Sequence, residues 1–333
     1  MSSLTPRFDE LRTLLDGAGS VVVAGHTKAD GDAVGAVAAL RRHLELEGQH
    51  VTALLLEPLS PRYSFMRFAK RHEVYSPARH DALVRSCAIF IMCDLSSLSR
   101  LGALEKPVRE GSCKTVCIDH HPCEDQGPAD VNLLDQKATA TGRIVWDYIQ
   151  HVEGRIDREI AEAVFVSVST DTGWFRYSNT DAEVMSLVAE MAGYGLDLPA
   201  MYRHIYQSNS TAMLRLLGHA TRSMHAELDG AFVWTVIRDA CVKDLQVERL
   251  DADPILDVLR SGEAAQVVAL FTEQPDGSIS VSLRSRGPDV NVIARRYGGG
   301  GHAYAAGTTL EPAQAEARMR ALVADIRTAL RND

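Results

Sequence analysis

Acidic and histidine side chains follow three apolar, strand-like segments of the sequence, VVVA, IFIMC and TVCI. The residues concerned are His26, Asp30 and Asp32 after the first segment, Asp94 after the second, and Asp119, His120 and His121 after the third. In an open parallel sheet the carboxyl ends of the strands share one edge, so we expect these side chains to converge there. Carboxylates crowded together repel one another unless cations lie between them. The pattern therefore predicts a metal centre.

The ligand types indicate which cation this centre would hold. Carboxylates with some imidazole suit Mn²⁺ or Mg²⁺, with iron, Co²⁺ or zinc as substitutes, and we predict Mn²⁺. Asp30 and Asp32 can direct one carboxylate to each of two cations while Asp94 bridges both, which would place the ions about 3.5 to 4 Å apart. A water between two such ions loses a proton easily and can attack phosphorus in line. The chemistry expected is phosphate-ester hydrolysis without a serine or cysteine nucleophile.

Two simpler interpretations compete with this one. Asp32 could be only the N-cap of the helix that follows, although a cap requires neither His26 nor Asp30. A tetrahedral zinc site could instead use the thiolates and imidazole of Cys113, Cys117, His120 and Cys123. Consecutive strand residues point to opposite faces of a sheet, so burial would carry Cys117 away from the loop that holds the other ligands. The sequence therefore favours the carboxylate-rich centre.

The elements that must position these residues follow from the hydrophobic pattern. Strand-like segments at 21–23, 51–56, 88–93 and 115–118 alternate with helix-like segments, of which 32–47 is the clearest. This alternation predicts an α/β domain with a mostly parallel sheet flanked by helices. Further helical patterns occupy 141–152, 156–168 and 182–192. We predict that this N-terminal metal-binding domain covers residues 1–190 and that a linker covers 191–215.

The remaining residues, 216–333, predict a second, smaller domain of the α+β class. A strand is expected at 232–237, and a hairpin turn at 275–277 should join strands at 267–271 and 279–283. Helical patterns cover 289–297 and 312–330. Between these two helices lie four consecutive glycines, more than a helix cap needs, and glycine lets backbone amides approach a ligand closely.

Composition excludes several classes of protein. The chain has 333 residues and 46% hydrophobic residues, which suits packed domains, and its apolar runs are shorter than the roughly 18 residues of a membrane span. A net charge of -9 opposes nonspecific binding to duplex DNA. No secretory signal is evident, and the six cysteines, mostly among apolar neighbours, are expected to be reduced. We expect a cytoplasmic protein that binds neither membranes nor duplex DNA.

Five motifs of the sequence resemble those of the DHH/DHHA1 phosphoesterase family and follow one another in the order typical of that family: HTKADGDA, CDLSS, IDHHP, STDTGWF and GGGGHAYAAG. The resemblance extends over nearly the whole chain. It is strongest to the small two-domain members that act as nanoRNases and pAp phosphatases, some of which also cleave cyclic or linear dinucleotides. One departure is Ala29, which stands where the family usually has proline and puts the rigidity of that loop in question.

The resemblance implies a role for each motif residue. His26, Asp30 and Asp94 would hold one cation, and Asp32, Asp94, His120 and Asp171 would hold the other. His121 would contact the scissile phosphate, and Asp119 would orient a histidine. Substrate would be bound in a cleft between the two domains by Arg284, Ser285, Arg286, Gly299, Gly300, Gly301 and His302. Arg295 and Arg296 are expected to be solvated helix residues.

These inferences predict a phosphohydrolase with two Mn²⁺ ions per chain that degrades short oligoribonucleotides to mononucleotides and dephosphorylates pAp. Two alternatives use the same motifs: a cyclic or linear dinucleotide phosphodiesterase and an inorganic pyrophosphatase or polyphosphatase. A third alternative, of a different class, is a nucleotide-binding sensor without catalysis. The family resemblance further implies a homodimer.

Overall fold

The computed structural model of the protein describes residues 4–123, 127–248, 250 and 252–332. The chain forms two compact units, Met1–Gln207 and Ser208–Asp333. The division between the units falls inside the predicted linker 191–215, but a helix also lies in that range. The predicted domain boundaries therefore stay a prediction.

The first unit contains a six-stranded sheet. Its strands are β1 (Val21–Ala24), β2 (Val51–Leu55), β3 (Glu73–Val74), β4 (Ile89–Cys93), β5 (Lys114–Asp119) and β6 (Val131–Leu134). Their order across the sheet is β3-β2-β1-β4-β5-β6, and every neighbouring pair is parallel. The predicted α/β class with a parallel sheet is confirmed. Strands β3 and β6 were not predicted, because β3 has only two residues and Asn132 interrupts the apolar pattern of β6.

Helices cover both faces of this sheet. They are α1 (Thr5–Leu15), α2 (Gly31–Leu46), α3 (Pro77–Ser86), α4 (Glu105–Glu110), α5 (Thr141–His151), α6 (Arg158–Asp171), α7 (Ala182–Ala192) and α8 (Leu198–Tyr206), with 3-10 helices at Pro61–Tyr63, Ala69–Arg71 and Leu98–Leu104. Alternate residues of β1 enter two separate cores. Val21 and Val23 pack in the core with α1, α2, α5 and α6, whereas Val22 and Ala24 pack in the core with α3 and α4. The residues of β1 are all apolar because both faces of the sheet are buried there.

Helices α2 and α6 pack against each other at glycines. A Cβ atom added at Gly35 would lie 2.4 Å from the carbonyl oxygen of Ala163, and one added at Gly31 would lie 2.3 Å from Oγ1 of Thr170. Such separations are too short for a Cβ atom, so Gly35 permits the close approach of the α6 backbone, and Gly31 leaves room for the side chain of Thr170. This contact positions the C-terminal end of α6, where Asp171 lies, beside the start of α2.

The second unit contains a mixed six-stranded sheet with helices. Its strands are β7 (His225–Glu227), β8 (Phe232–Ile237), β9 (Val267–Glu273), β10 (Ile279–Ser285), β11 (Gly300–His302) and β12 (Ala305–Leu310). Its helices are α9 (Thr211–Arg222), α10 (Asp239–Asp244), α11 (Ala252–Arg260), α12 (Val290–Arg296) and α13 (Ala315–Asn332), with a 3-10 helix at Pro312–Gln314. The strand order is β11-β12-β10-β9-β8-β7, with only β8 and β9 parallel.

This second unit confirms the predicted α+β class, with one local correction. The glycine run was expected to form a loop, but Gly300 and Gly301 belong to strand β11, which pairs with β12. Because glycine has no side chain to show a strand pattern, the residues alone could not distinguish the two conformations. Within the described part of the chain, no helix combines the length and apolar character needed to cross a membrane.

Candidate metal centre

The predicted site residues lie at one edge of the first sheet, where three adjacent strands end. His26 lies just beyond β1, Asp94 directly follows β4, and Asp119 is the last residue of β5, with His120 next. Because β1, β4 and β5 are parallel neighbours, these chain ends lie side by side. The predicted convergence of the three strand ends is observed.

Among the described residues, three groups of side chains that could hold a metal lie at this edge, and we call them donor groups below. They are His26 with Asp30 and Asp94; Asp32 with His120 and Asp171; and Asp94 with His120 and His121. Within each group, one donor atom from every residue lies within 4.8 Å of the others. All six predicted metal ligands belong to a group, and Asp94 and His120 each belong to two. Asp171, which only the family resemblance had suggested, lies with the others.

The separations between donor atoms are longer than most hydrogen bonds. Nε2 of His26 lies 3.3 Å from Oδ2 of Asp94 and 3.8 Å from Oδ1 of Asp30. Nε2 of His120 lies 3.5 Å from Oδ2 of Asp32, 3.8 Å from Oδ1 of Asp94 and 3.9 Å from Oδ2 of Asp171. Atoms that face a common cation need not touch one another, and these distances are consistent with that arrangement.

Backbone contacts select the histidine form that a metal requires. Nδ1 of His26 lies 2.7 Å from the carbonyl oxygen of Thr27, and Nδ1 of His120 lies 3.1 Å from that of Ala138. A carbonyl oxygen can only accept, so Nδ1 of each ring carries the proton that is donated. In the neutral rings, Nε2 then presents its lone pair to the carboxylates, which is the arrangement of a metal-binding imidazole.

The electrostatics indicate that the site attracts positive charge. Burial opposes protonation of His26, yet the nearby carboxylates of Asp30 and Asp94 raise its pKa to about 10. Burial likewise opposes protonation of His121, but hydrogen bonds to Asp119 and Asp94 raise its pKa to about 11. The neighbouring carboxylates thus favour protonated, positively charged rings, and a bound cation could take the place of that positive charge.

Two further carboxyl groups ionise with difficulty in the absence of a cation. Burial, together with the charge of Asp94, raises the pKa of Asp32 well above its ordinary value. Burial also raises the pKa of Asp171 to about 7, although the His120 ring opposes the shift and nearby carboxylates add to it. In addition, Nε2 of His26 is buried and makes no hydrogen bond to any described residue. These features fit residues that hold divalent cations.

Asp30 has a second function in the fold. Its Oδ1 accepts hydrogen bonds from the backbone N–H groups of Asp32 and Ala33 at 3.0 and 3.1 Å, so Asp30 is the N-cap of α2. The alternative interpretation had assigned this cap to Asp32 and was therefore wrong. Asp32 lies inside the helix and is free to contribute its carboxylate elsewhere. Ala29, at the position where the family usually has proline, is partly buried against the core of the first unit.

The cysteines take no part in the donor groups. Cys117 is buried, and its Sγ lies 3.3 Å from the carbonyl oxygen of Leu95, while Sγ of Cys123 lies 3.7 Å from that of Ser96. No donor group among the described residues contains a cysteine, and all six cysteines have free thiols. The geometry favours the carboxylate-rich centre over a zinc site.

The predicted substrate residues lie in the second unit. Arg284 forms an ion pair with Asp253 at 3.2 Å, and Ser285 is buried at the end of β10. Gly299 and Gly301 are required by packing against β12, because an added Cβ would lie 2.1 Å from the carbonyl oxygen of Gly307 at the first position and 2.4 Å from that of Ala305 at the second. The fold thus explains these two glycines, and their contact with substrate stays a prediction, as does that of Arg286, Gly300 and His302.

Sequence reasoning missed several residues that contact the predicted ligands, among them Thr141, Gly142 and Ser167. Thr141 and Gly142 begin helix α5, and Ser167 lies in α6. The only available signal was the spacing of Gly31 and Gly35 on one helix face, which indicates a close helical neighbour without identifying it.

The fold and the site together define an α/β protein whose acidic and histidine cluster could hold a metal, with a separate α+β unit. Residues 20–168 match the DHH family, N-terminal domain, and residues 234–331 match the DHHA1 domain. The chain belongs to the DHH/DHHA1 family, which confirms the resemblance inferred from its motifs.

Named relatives are similar over most of their length. The chain is 31% identical over 294 residues to the bifunctional oligoribonuclease and PAP phosphatase NrnA of Thermus thermophilus, covering 88% of this chain and 85% of the relative. It is 24% identical over 294 residues to the protein of the same name from Bacillus subtilis, covering 87% and 89% of the two chains.

Solved structures share the fold. An exopolyphosphatase-related protein from Bacteroides fragilis superposes with a TM-score of 0.88 at 20% identity, covering 99% of this chain and 100% of the other. RecJ from Thermus thermophilus in complex with Mn²⁺ superposes with a TM-score of 0.57 at 16% identity, covering 97% of this chain and 55% of RecJ.

Proposed function

We propose that the protein is a metal-dependent phosphohydrolase that degrades short oligoribonucleotides to mononucleotides and removes the 3′-phosphate of pAp. The observation that carries the proposal is the meeting of all six predicted ligands, from four separate segments of the chain, in the overlapping donor groups. The activities named for the relatives from Thermus thermophilus and Bacillus subtilis supply the substrate class.

In this proposal, His26, Asp30 and Asp94 hold one cation, and Asp32, Asp94, His120 and Asp171 hold a second. Three or four ligands dominated by carboxylate oxygen favour Mn²⁺, with Mg²⁺ or Co²⁺ as substitutes. Bound divalent cations would withdraw negative charge from a phosphate ester and make a nearby water more acidic.

Asp119 and His121 act beside the ligands. Oδ1 of Asp119 accepts hydrogen bonds from the backbone N–H groups of His120 and His121 at 2.8 and 3.2 Å, and Nδ1 of His121 lies 2.7 Å from the same atom. This buried carboxylate therefore fixes the orientation of the His121 ring. We assign Nε2 of His121 to contact an oxygen of the scissile phosphate, where a proton on that atom would neutralise developing charge.

We propose that the second unit binds substrate through cationic side chains and backbone donors. We assign this role to Arg284, Ser285, Arg286, Gly299, Gly300, Gly301 and His302. A guanidinium group can contact two phosphate oxygens at once, which favours short substrates with a terminal phosphate. Homodimer formation and the absence of duplex DNA binding stay predictions of the sequence.

The test is a substrate panel with added Mn²⁺. We expect hydrolysis of diribonucleotides and pAp, much slower hydrolysis of long RNA, and no activity after chelation of the metal. Hydrolysis of cyclic dinucleotides would place the protein with the dinucleotide phosphodiesterases, and exclusive turnover of pyrophosphate or polyphosphate would replace the proposed function. Tight nucleotide binding without any turnover would favour the sensor alternative.

A further inference from the structure

A short segment that runs into the start of α5 contacts three of the six predicted ligands directly and a fourth through Asn179, without contributing a ligand itself. We call this segment, with sequence ATATG over 138–142, the 138–142 segment. The ligands that it reaches, directly or through one other residue, come from α2, the ends of β4 and β5, and α6. It is therefore a common neighbour of elements that are far apart in sequence.

The most extensive contact is with Asp32. Its Oδ2 accepts a hydrogen bond from the backbone N–H of Thr141 at 2.8 Å, and its Oδ1 accepts one from the N–H of Gly142 at 3.1 Å. Ala140, the N-cap residue of α5, has no side chain that can cap the helix. Asp32 thus supplies from α2 the acceptors that the first N–H groups of α5 require.

Ser167 completes this arrangement. Its Oγ lies 3.0 Å from the backbone nitrogen of Gly142 and 2.5 Å from Oδ1 of Asp32. Because the N–H of Gly142 can only donate, the Ser167 oxygen accepts from it, and the hydroxyl proton is left to be donated to Asp32. The carboxylate of Asp32 is 2% exposed and is therefore held by fixed donors rather than by water.

The other three ligands are held in related ways. Oγ1 of Thr141 donates to Oδ1 of Asp94 at 3.1 Å, and the carbonyl oxygen of Ala138 accepts from Nδ1 of His120 at 3.1 Å. Nδ2 of Asn179 donates to the backbone oxygen of Asp171 at 3.2 Å and also lies 3.5 Å from the backbone oxygen of Thr139.

We propose that Thr141 and Ser167 are positioning residues of the metal centre, whose hydroxyl groups orient Asp94 and Asp32 for cation binding. The inference rests on the proposed function, because it assigns both aspartates to cations. Each hydroxyl donates its proton to a carboxylate oxygen of a predicted ligand, so we assign neither hydroxyl as a metal ligand itself. Residues in this position tune how well a carboxylate binds a metal without touching the metal.

Glycine makes this arrangement possible at Gly142 and Gly35. An added Cβ would lie 2.1 Å from Oγ of Ser167 at Gly142 and 2.9 Å from Cβ of Ser167 at Gly35. Ser167 is thus enclosed by two backbones and cannot turn its hydroxyl away from Asp32 at low cost. A hydroxyl restricted in this way orients the carboxylate before the cation arrives.

The test for Ser167 uses Ser167→Ala with Ser169→Ala as a matched control. Both serines are fully buried in α6. Among the described residues, however, the hydroxyl of Ser169 donates its hydrogen bond to the backbone oxygen of Val166, at 3.2 Å, and not to a carboxylate. We expect Ser167→Ala to weaken Mn²⁺ binding about 10- to 100-fold, which is the usual loss of metal affinity when a group that orients a metal ligand is replaced. Ser169→Ala should bind Mn²⁺ like the wild type.

The test for Thr141 uses Thr141→Val, which keeps the shape but removes the hydroxyl, and Thr141→Ser, which restores it. Thr235→Val is the matched control, because Thr235 is equally buried and its hydroxyl contacts a backbone oxygen in the second unit. We expect weaker Mn²⁺ binding in Thr141→Val alone, with recovery in Thr141→Ser. Backbone N–H donation to Asp32 is unchanged in both Thr141 variants.

The measurement is equilibrium titration of Mn²⁺ into the folded apoprotein, together with thermal unfolding without metal to show that each variant folds. If the wild type binds no Mn²⁺, the proposed metal centre fails and the inference with it. If the wild type binds Mn²⁺ but Ser167→Ala and Thr141→Val bind it equally well, the inference alone is overturned. Equal weakening in the control variants would show a merely structural effect and would also overturn it.

Discussion

Asp94 is the residue whose replacement most directly tests the metal centre. It belongs to two donor groups, and its backbone has a φ of 64°, in the left-handed region. Asparagine tolerates that conformation, whereas alanine would add strain, so Asp94→Asn removes the charge while keeping the backbone. We expect this substitution to abolish Mn²⁺-dependent phosphohydrolase activity.

The expected loss of stabilisation by Mn²⁺ can be worked out. Free Mn²⁺ at one hundred times its dissociation constant stabilises the wild type by about 2.7 kcal/mol per ion. For a unit the size of Met1–Gln207, this shifts the melting temperature by about 5 to 10 °C. If the loss of Asp94 weakens binding about 100-fold, the remaining stabilisation is about 0.4 kcal/mol, or roughly 1 °C.

Without metal, Asp94→Asn should melt close to the wild type. The substitution removes partners of His26 and His121, but these rings can release their protons, and it also removes repulsion from Asp30 and Asp32. A large loss of stability in metal-free buffer would instead indicate that the negative charge of Asp94 is needed for folding.

The assay is thermal unfolding with and without Mn²⁺, in parallel with turnover of a diribonucleotide. Asp147→Asn serves as the control, because this half-buried carboxylate of the same unit pairs with Arg143 at 2.8 Å and belongs to no donor group. A wild-type melting shift or wild-type turnover in Asp94→Asn would refute the assignment of Asp94 to the cations.

Two further predictions concern stability. The Arg327 guanidinium, which contacts Glu227 at 2.5 and 2.8 Å, lowers the pKa of Glu227 from 4.5 to about 2. A lowered pKa of a carboxyl group stabilises the fold above about pH 4.5. Glu227→Gln should therefore reduce the free energy of unfolding by about 1 kcal/mol at pH 7, after allowance for solvent screening. Urea titrations should show this difference vanishing as the pH falls towards 2. Gly35→Ala should destabilise the first unit by about 1 to 3 kcal/mol in urea unfolding, since its Cβ would meet the Ala163 oxygen. The control is Gly218→Ala, on an exposed helix face with nothing within 4 Å of the added Cβ, which should have no such cost. Equal losses of stability in the two variants would contradict the packing argument.

Several parts of the fold were predictable because local pattern and tertiary environment agree. The strand before His26 and the helix after Asp30 were predicted almost to the residue, since apolar runs and turn residues mark their ends. Strand β11 was not predicted, because its pairing with β12 depends on close backbone approach at Gly301 rather than on its own residues.

The sequence by itself determined the chemistry of the site: which strand ends carry carboxylate or imidazole, and hence that divalent cations are the expected partners. Only the tertiary structure decided which residues from distant segments join them. Ser167 reaches Asp32 because α6 packs on glycines of α2, and Thr141 reaches it because α5 begins beside it. Such contacts depend on the complementary surfaces of two helices, and a serine or threonine in a helix carries no local signal of the carboxylate it will meet.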